Sequence, residues 1–199
     1  MNKAVVFVDV QKDFVKGGKL AFGYPAEDNL QKVVDFAKEC VDTYSNDSEC
    51  CCKIYATRDT HEATKWIEKD CAQVAVGYFA TLEGQKLPIE HCVEGTDGWQ
   101  IVSPLMEVLL GKATFVNKPT FGSYDLADII AEDFGKNGPN EIVICGYDLS
   151  ICCLANAILL RAKFPNVKII VKLDLCGDVD KMAFDAAVKV LQMQQIDVK

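Results

Sequence analysis

Five residues of reactive type stand where their side chains could act together. They are Asp9, Asp59, His61, Lys118 and Cys152, and each comes at or just after the end of a predicted β-strand. The aligned backbone N–H groups at the start of a helix favour the thiolate form of a cysteine placed there. A neighbouring lysine would favour the thiolate further, and a carboxylate could accept the thiol proton. The residue types therefore predict an activated cysteine nucleophile with a base and a cation beside it.

Each of these residues also has an ordinary structural interpretation. An aspartate after a strand commonly caps a turn, and an isolated lysine is commonly solvated. A cysteine at a helix start is more often structural than catalytic. The joint placement of the residues at the ends of several strands is what favours a catalytic interpretation.

The elements that would carry these residues alternate along the chain. Short apolar runs alternate with amphipathic helical stretches, which predicts a parallel sheet covered on both faces. The strands are predicted at residues 4–10, 52–57, 114–117, 141–147, 168–175 and 196–198, and the helices at 26–44, 103–110, 123–134, 151–163 and 180–194. We therefore expect an α/β protein with a three-layer α/β/α, Rossmann-like fold and a mostly parallel sheet of about six strands.

In open sheets of this kind, ligands bind beyond the carboxyl ends of the strands. This rule places Asp9, Asp59, Lys118 and the segment after Gly146 at one edge of the sheet. Residues 60–112 are less regular, and we expect them to form long loops beside that edge.

Length and composition predict one soluble domain over residues 1–199. The 199 residues are 50% apolar and 25% charged, with a formal net charge of -8. This balance gives no electrostatic reason to bind nucleic acid or an anionic membrane, and a small neutral substrate fits it better. No secretion signal is evident, and no apolar run approaches the length of a membrane span. We therefore expect a cytoplasmic protein.

The ten cysteines fit reduced thiols in such a compartment. Cys40, Cys71, Cys145 and Cys176 lie in apolar surroundings, and we expect them to pack as small core residues. The run at residues 50–52 could bind a soft metal, but it lacks the paired CxxC spacing of zinc sites.

Five segments of the chain carry a family resemblance. They read VDVQKDF (8–14) with GGKLA (17–21), RDTH (58–61), HCVEGTDG (91–98), KPTFGSY (118–124) and GYDLSIC (146–152). In this order and spacing, the chain resembles the isochorismatase-like cysteine hydrolases, and among them the nicotinamidases. The resemblance extends from the first strand to the last helix.

The resemblance implies a catalytic triad of Asp9, Lys118 and Cys152. It also implies an oxyanion hole made by the backbone N–H groups of Asp148 and Cys152, with a cis peptide bond between Tyr147 and Asp148. The count from Gly146 selects Cys152 rather than Cys153. Because adjacent residues on a helix point about 100° apart, only one of these two cysteines can face the cleft.

The resemblance further implies a metal site at Asp59, His61 and His91. An Asp-x-His segment places two ligands on one side of an extended chain, and this donor set suits Zn, Mn or Fe, of which we expect Zn. Glu68, Asp70 or water could complete the coordination. Each histidine could instead cap a turn or form a surface hydrogen bond.

For the substrate site we expect Phe14, Phe121 and Tyr124, with Trp66 as a further candidate. The chain lacks the tryptophan that nicotinamidases have shortly before the metal histidine, and it reads Leu-Ser-Ile before Cys152 where a Thr-Asp pair is common. These departures concern the substrate rather than the reaction class.

Three functions follow from the sequence. The first is hydrolysis of a small carboxamide such as nicotinamide, through a thioester acyl-enzyme, to the acid and ammonia. The second is hydrolysis of another small amide or ureide by the same fold. The third is a catalytically idle binding or oligomerisation module, against which the intact Asp9, Lys118 and Cys152 argue. The resemblance also implies a homo-oligomer.

Overall fold

The computed structural model of the chain describes residues 2–25, 29–45 and 51–199, and a parallel β-sheet forms its centre. Within these residues the strands are β1 (Lys3–Val8), β2 (Cys52–Asp59), β3 (Lys65–Lys69), β4 (Ala72–Val76), β5 (Ala113–Lys118), β6 (Glu141–Gly146), β7 (Lys168–Cys176) and β8 (Asp197–Val198). The helices are α1 (Leu30–Ser45), α2 (Leu82–Lys86), α3 (Ser103–Leu109), α4 (Tyr124–Phe134), α5 (Leu154–Lys163) and α6 (Lys181–Met193).

Six strands form the main sheet in the order β5-β2-β1-β6-β7-β8, and all neighbouring pairs are parallel. The apolar run of β1 is fully buried at the centre, as expected for a strand covered on both faces. Helices α1 and α3 pack against each other, and α5 packs against α4 and α6. The predicted α/β fold with a parallel sheet of six strands is therefore confirmed.

The close contact between β1 and β6 requires glycine at position 146. Gly146 has φ 126°, and a Cβ atom there would lie 2.0 Å from the backbone oxygen of Val8. No side chain fits at that distance. The chain can therefore turn directly from the end of β6 into the segment that carries Cys152.

Most predicted elements agree with the structure to within a few residues. The predicted helix at 26–44 is α1, which begins at Leu30; residues 26–28 lie outside the described part of the chain. The predicted helix at 151–163 has a different start, because a π-helical turn, Leu149–Cys153, precedes α5. Cys152 therefore lies within that turn rather than in the first turn of an α-helix.

The expectation of long loops over residues 60–112 is wrong in part. Strands β3 and β4 form an antiparallel hairpin, and α2 follows it. The hairpin turns at Asp70 and Cys71, which both have positive φ, as a tight hairpin turn requires. Strand β3 is exposed along its whole length. Its sequence therefore needs no alternation of apolar and polar residues, which is the pattern that predicts a half-buried strand.

The hairpin corrects two further expectations. Cys71 is exposed at the turn and is not a core residue, whereas Cys40, Cys145 and Cys176 are buried. Trp66, a candidate for the substrate site, is instead 62% exposed on β3 and does not line the cavity described below. Cys50, the first residue of the run that could bind a soft metal, lies outside the described residues. Within the described ranges, no helix is long and apolar enough to cross a membrane.

Candidate active site

Three strand ends bring Asp9, Lys118 and Cys152 together. Lys118 is the last residue of β5, Asp9 follows β1, and Cys152 comes shortly after β6. The Nζ atom of Lys118 lies 2.6 Å from Oδ2 of Asp9 and 3.5 Å from Sγ of Cys152. All three side chains are buried. The carboxylate, ammonium and thiol therefore form one connected group.

The environment of Asp9 suits a base. Thr57 donates a 2.7 Å hydrogen bond from its hydroxyl to Oδ1 of Asp9. Burial raises the pKa of Asp9 above its ordinary value, although Lys118 and Thr57 oppose this rise. A carboxylate with a raised pKa holds a proton more readily than one in water, which suits a group that must accept one.

The surroundings of Cys152 disfavour ionisation of its thiol. Burial raises the pKa of Cys152 well above its ordinary value, and the charge of Lys118 opposes that rise. Lys118 contacts both the thiol of Cys152 and the carboxylate of Asp9, so a potential proton acceptor belongs to the same buried group as the thiol. Ionisation of this thiol would therefore require a proton acceptor close by.

Cys153 has different surroundings from its neighbour. Cys153 is fully buried, whereas Cys152 lines a cavity. Of the two adjacent cysteines, it is Cys152 that a small molecule in the cavity would meet.

The first signature segment also supports the site with polar side chains that the sequence did not single out. Gln11 accepts a 2.8 Å hydrogen bond from the N–H of Asp59 and donates one of 2.8 Å to its carbonyl. Asp13 accepts a 2.8 Å hydrogen bond from the N–H of Cys92, beside His91. Gln11 therefore fixes the backbone of Asp59, and Asp13 fixes the backbone next to His91. Asp59 and His91 belong to a second cluster of polar side chains.

That second cluster consists of Asp59, His61, Glu83 and His91, and it could hold a metal ion. One ligand atom from each lies within 4.8 Å of every other. The Nε2 atoms of His61 and His91 lie 3.0 and 3.2 Å from Oδ2 of Asp59, and 3.6 and 3.5 Å from Oε1 of Glu83. Nδ1 of His91 bonds the carbonyl of Ile89 at 2.8 Å, which aims Nε2 at the cluster.

The charges of the cluster favour a cation. Burial and the charge of Asp59 raise the pKa of Glu83. Oδ1 of Asp59 is buried with no hydrogen-bond partner among the described residues, and Lys118 lies 3.7 Å from it. A divalent ion would relieve both the repulsion between the carboxylates and the unpaired oxygen. The four residues therefore fit a metal, and their two imidazoles and two carboxylates form a donor set of the transition-metal type.

The fourth member of the cluster differs from the expected ones. Glu68 and Asp70 lie on or beside the exposed β3 and do not join the other ligands. Glu83 stands in their place because α2 carries it there; Thr81 caps this helix by accepting a hydrogen bond from the N–H of Gly84. The sequence signal was the capping threonine followed by an acid in the first turn.

A cavity of about 320 Å³ joins Cys152 to the metal-ligating cluster. Its size suits a small molecule. Most of its wall is apolar, and the apolar residues include Phe14, Leu20, Ala21, Leu87, Phe121 and Ile151. The polar residues on the wall besides Cys152 are Asp59, Glu83, His91 and Asp148.

The expected substrate residues separate in the structure. Phe14 is buried in the cavity wall and contacts the ring of His91 edge-on, and Phe121 lines the cavity while remaining half-exposed. Tyr124 is 76% exposed and lies outside the cavity wall, so its expected substrate role is corrected. Tyr124 is the first residue of α4, which Ser123 caps by accepting a hydrogen bond from the N–H of Leu126.

The segment that leads into Cys152 has the expected backbone form. The peptide bond between Tyr147 and Asp148 is cis. Asp148 precedes the π-helical turn, and its carbonyl accepts a 3.0 Å hydrogen bond from the N–H of Cys153. The N–H groups of Asp148 and Cys152, which the family resemblance assigns to an oxyanion hole, thus belong to one short segment at the cavity wall.

The chain is similar to known proteins in both sequence and fold. The family model described as the isochorismatase domain matches residues 3–198. No curated protein sequence gives a significant match to the chain.

Solved structures with a similar fold include several amidases. The pyrazinamidase/nicotinamidase from Streptococcus mutans UA159 has a TM-score of 0.75 at 21% identity, with 99% of each chain covered. The nicotinamidase/pyrazinamidase from Bacillus subtilis has a TM-score of 0.74 at 19% identity, covering 100% of this chain and 99% of that one. The pyrazinamidase of Pyrococcus horikoshii in complex with zinc has a TM-score of 0.71 at 20% identity, covering 99% and 98%. At these identities the likeness is one of fold. With the family model matching almost every residue, the chain belongs to the isochorismatase family of hydrolases.

Proposed function

We propose that this hydrolase is a cysteine amidohydrolase that converts a small carboxamide into the acid and ammonia. The observation that carries this proposal is the buried group of Asp9, Lys118 and Cys152, of which Cys152 lies at the wall of a small, mainly apolar cavity. A thiol, a proton acceptor and a fixed cation are the parts that nucleophilic attack on an unactivated amide requires.

The reaction would begin at the thiol. Asp9 accepts the proton of Cys152 as Sγ attacks the carboxamide carbon, and the C=O electron pair moves onto oxygen. The N–H groups of Asp148 and Cys152 stabilise that oxyanion, a type of contact that supplies several kcal/mol in other hydrolases. Asp9 then returns the proton to the amide nitrogen, and ammonia leaves as the C=O bond re-forms and the C–N bond breaks.

The second half of the reaction hydrolyses the thioester. Water attacks the acyl carbon while Asp9 accepts one of its protons. The C–S bond breaks, the acid is released, and Cys152 takes the proton back from Asp9. Lys118 keeps its charge throughout: burial lowers its pKa, but the charges of Asp9 and Asp59, and that of the Cys152 thiolate once it forms, outweigh burial and raise it.

We infer that Asp59, His61, Glu83 and His91 hold a divalent transition metal, with zinc as the first candidate. The donor set, the unpaired Oδ1 of Asp59 and the zinc in the similar pyrazinamidase support this assignment. When bound, such an ion supplies an electron-accepting site for a ring nitrogen or a water molecule beside the carboxamide.

Nicotinamide is the first substrate to test. The cavity volume, the aromatic rings of Phe14 and Phe121 and the nearby metal ligands support a small heteroaromatic amide. The similar solved structures include nicotinamidases and pyrazinamidases. Another small amide or a ureide would use the same chemistry.

The test is ammonia release from a panel of small carboxamides and ureides by the purified protein. We expect turnover of at least one, and loss of at least about a thousandfold in kcat/KM for Cys152→Ala, since the attacking atom is removed. Cys153→Ala is the matched control and should retain activity. Failure to release ammonia from any compound, or full activity of Cys152→Ala, would show the proposal to be wrong.

A further inference from the structure

One polar side chain in the cavity wall has no partner within the described part of the protein. Asp148 lies two residues after Gly146 and four before Cys152, and it is only 7% exposed. Its Oδ1 is buried without a hydrogen-bond partner, yet the residue lines the cavity. Because an unpaired buried acceptor costs about 1–3 kcal/mol, a group left in this state calls for an explanation.

Asp148 occupies a position where aspartate normally caps a helix. Its backbone precedes the π-helical turn Leu149–Cys153, but its side chain makes no cap hydrogen bond. An aspartate there would ordinarily accept a hydrogen bond from an N–H in the first helical turn. The unpaired carboxyl of Asp148 is therefore not explained by the helix that follows it.

Asp178, after β7, has taken over the capping role. Its Oδ2 accepts a 2.8 Å hydrogen bond from the N–H of Ser150, and its Oδ1 accepts one of 2.8 Å from the hydroxyl of Ser150. The helical turn is thus fastened without Asp148. The carboxyl of Asp148 remains free to interact with whatever occupies the cavity.

The surroundings of Asp148 determine which ligand group it could bind. Burial and the charges of Asp178 and Asp9 raise the pKa of Asp148 to about 8, so the carboxyl is largely neutral at pH 7. A neutral carboxyl does not require a cation. In either protonation state, however, it retains an oxygen that accepts a hydrogen bond, and a ligand N–H is the natural complement.

We propose that Asp148 is a specificity-determining residue that selects amides whose acyl part carries a second N–H donor. The inference rests on the proposed amidohydrolase function and narrows its substrate class. Since the rest of the wall is mainly apolar, the preferred substrate would be a small ring or chain with one additional amino or ureido group. A substrate without that donor would leave the carboxyl of Asp148 without a hydrogen-bond partner on binding and would bind more weakly.

The test compares ligands that differ by one amino group. Nicotinamide and its 2-, 5- and 6-amino derivatives would be titrated by calorimetry into the full-length Cys152→Ala protein, which cannot turn them over. We expect at least one amino derivative to bind about tenfold more tightly than nicotinamide. This is the ratio expected when a hydrogen bond worth about 1.4 kcal/mol is gained.

Two substitutions in the same Cys152→Ala background identify the source of that preference. Asp148→Ala removes the acceptor, so the amino derivative and nicotinamide should then bind with about equal dissociation constants. Asp148→Asn keeps an acceptor oxygen on a side chain of the same size, and the preference should persist. Asp185→Ala, on the exposed side of α6, is the matched loss of one aspartate and should leave the preference unchanged.

The outcomes of this binding test can be distinguished from those of the ammonia-release test of the proposed function. Equal binding of all four ligands, binding of none, or a preference that survives Asp148→Ala would each overturn the role of Asp148. Should Asp148→Ala fail to fold, loss of the preference in the near-isosteric Asp148→Asn would contradict the inference in the same way. Ammonia release by the unmodified protein tests the amidohydrolase separately, because binding to Cys152→Ala does not depend on turnover.

Discussion

Lys118 lies between the pair of Asp9 and Cys152 and the cluster that contains Asp59. Its Nζ lies 2.6 Å from Asp9, 3.5 Å from Cys152 and 3.7 Å from Asp59, and it donates a 3.1 Å hydrogen bond to the carbonyl of Thr120. One buried cation therefore contacts the proposed nucleophile, the proposed base and a member of the proposed metal-ligating cluster. A change on either side of Lys118 alters the charge that the other side experiences.

Thr57 gives a test of the base that leaves all three reacting groups in place. Thr57→Val keeps the shape of the side chain but removes the hydrogen bond to Oδ1 of Asp9. Because that bond lowers the pKa of Asp9, its loss should raise this pKa further and leave less ionised carboxylate at neutral pH. We expect kcat/KM to fall about tenfold or more, with the acid limb of the pH profile shifted to higher pH.

The control for this substitution is Thr114→Val on the exposed surface of β5, which should leave the profile unchanged. A Thr57→Val enzyme with the activity and pH profile of the unmodified protein would mean that Asp9 is not the proton acceptor.

Short connections between elements decide where the reactive groups point. Asp9, with φ 50°, turns the chain out of β1, and Gly146, with φ 126°, turns it out of β6. The two turns lie side by side, since Val8 pairs with Gly146 in the sheet register. This contact is what holds the Asp9 segment against the Cys152 segment.

Gly146→Ala tests that contact. The added methyl group would lie 2.0 Å from the Val8 oxygen, so β1 and β6 would have to separate or the turn would have to change. We expect a loss of more than about 3 kcal/mol in the free energy of unfolding, measured by urea denaturation.

Gly111→Ala is the comparison, because Gly111 has φ 70° but nothing within 4 Å of an added Cβ. At Gly111 the free energy of unfolding should fall by only about 1 kcal/mol, because alanine strains the backbone at positive φ but meets no neighbouring atom. Equal losses at the two positions would indicate that the close approach at Gly146 is unimportant.

At the scale of the whole molecule, the metal-ligating cluster joins parts of the chain that the sheet alone does not hold. Asp59 ends β2, Glu83 lies on α2 after the exposed hairpin, and His91 stands in the connection to α3. A bound ion would fasten residues 60–100 onto the sheet edge. Metal binding should then contribute to the stability of the entire fold.

Removal of the metal by a chelator should therefore lower the melting temperature. An ion present at 100 times its dissociation constant contributes about 2.7 kcal/mol, which is about 5–10 °C for a chain of this length. Calorimetric melting with and without chelator measures this shift, and elemental analysis identifies the ion. Glu83→Gln should show a smaller shift, and Cys152→Ala an unchanged one. An identical melting temperature before and after chelation of metal-loaded protein would contradict the assignment.

Much of the architecture could be read from local patterns. The apolar run of β1, the alternation of strands and helices, and the glycine at the end of β6 are properties of a few consecutive residues. They predicted the elements and their order along the chain, whereas the order of the strands in the sheet came from the structure. In a parallel sheet, carboxyl ends share an edge, so the chain order alone also predicted that Asp9, Lys118 and Cys152 would approach one another. The exposed hairpin escaped prediction because its strands bury neither face.

What only the tertiary structure decided depends on contacts between distant residues. Glu83 rather than Glu68 or Asp70 joins His61 and His91 because α2 packs back toward the sheet edge. Asp148 has an unpaired carboxyl because Asp178, 30 positions later, bonds Ser150 in its place. The types of the reactive residues were thus determined by the sequence. Which side chains surround each carboxylate was decided by the folded chain, because those neighbours come from distant parts of the sequence.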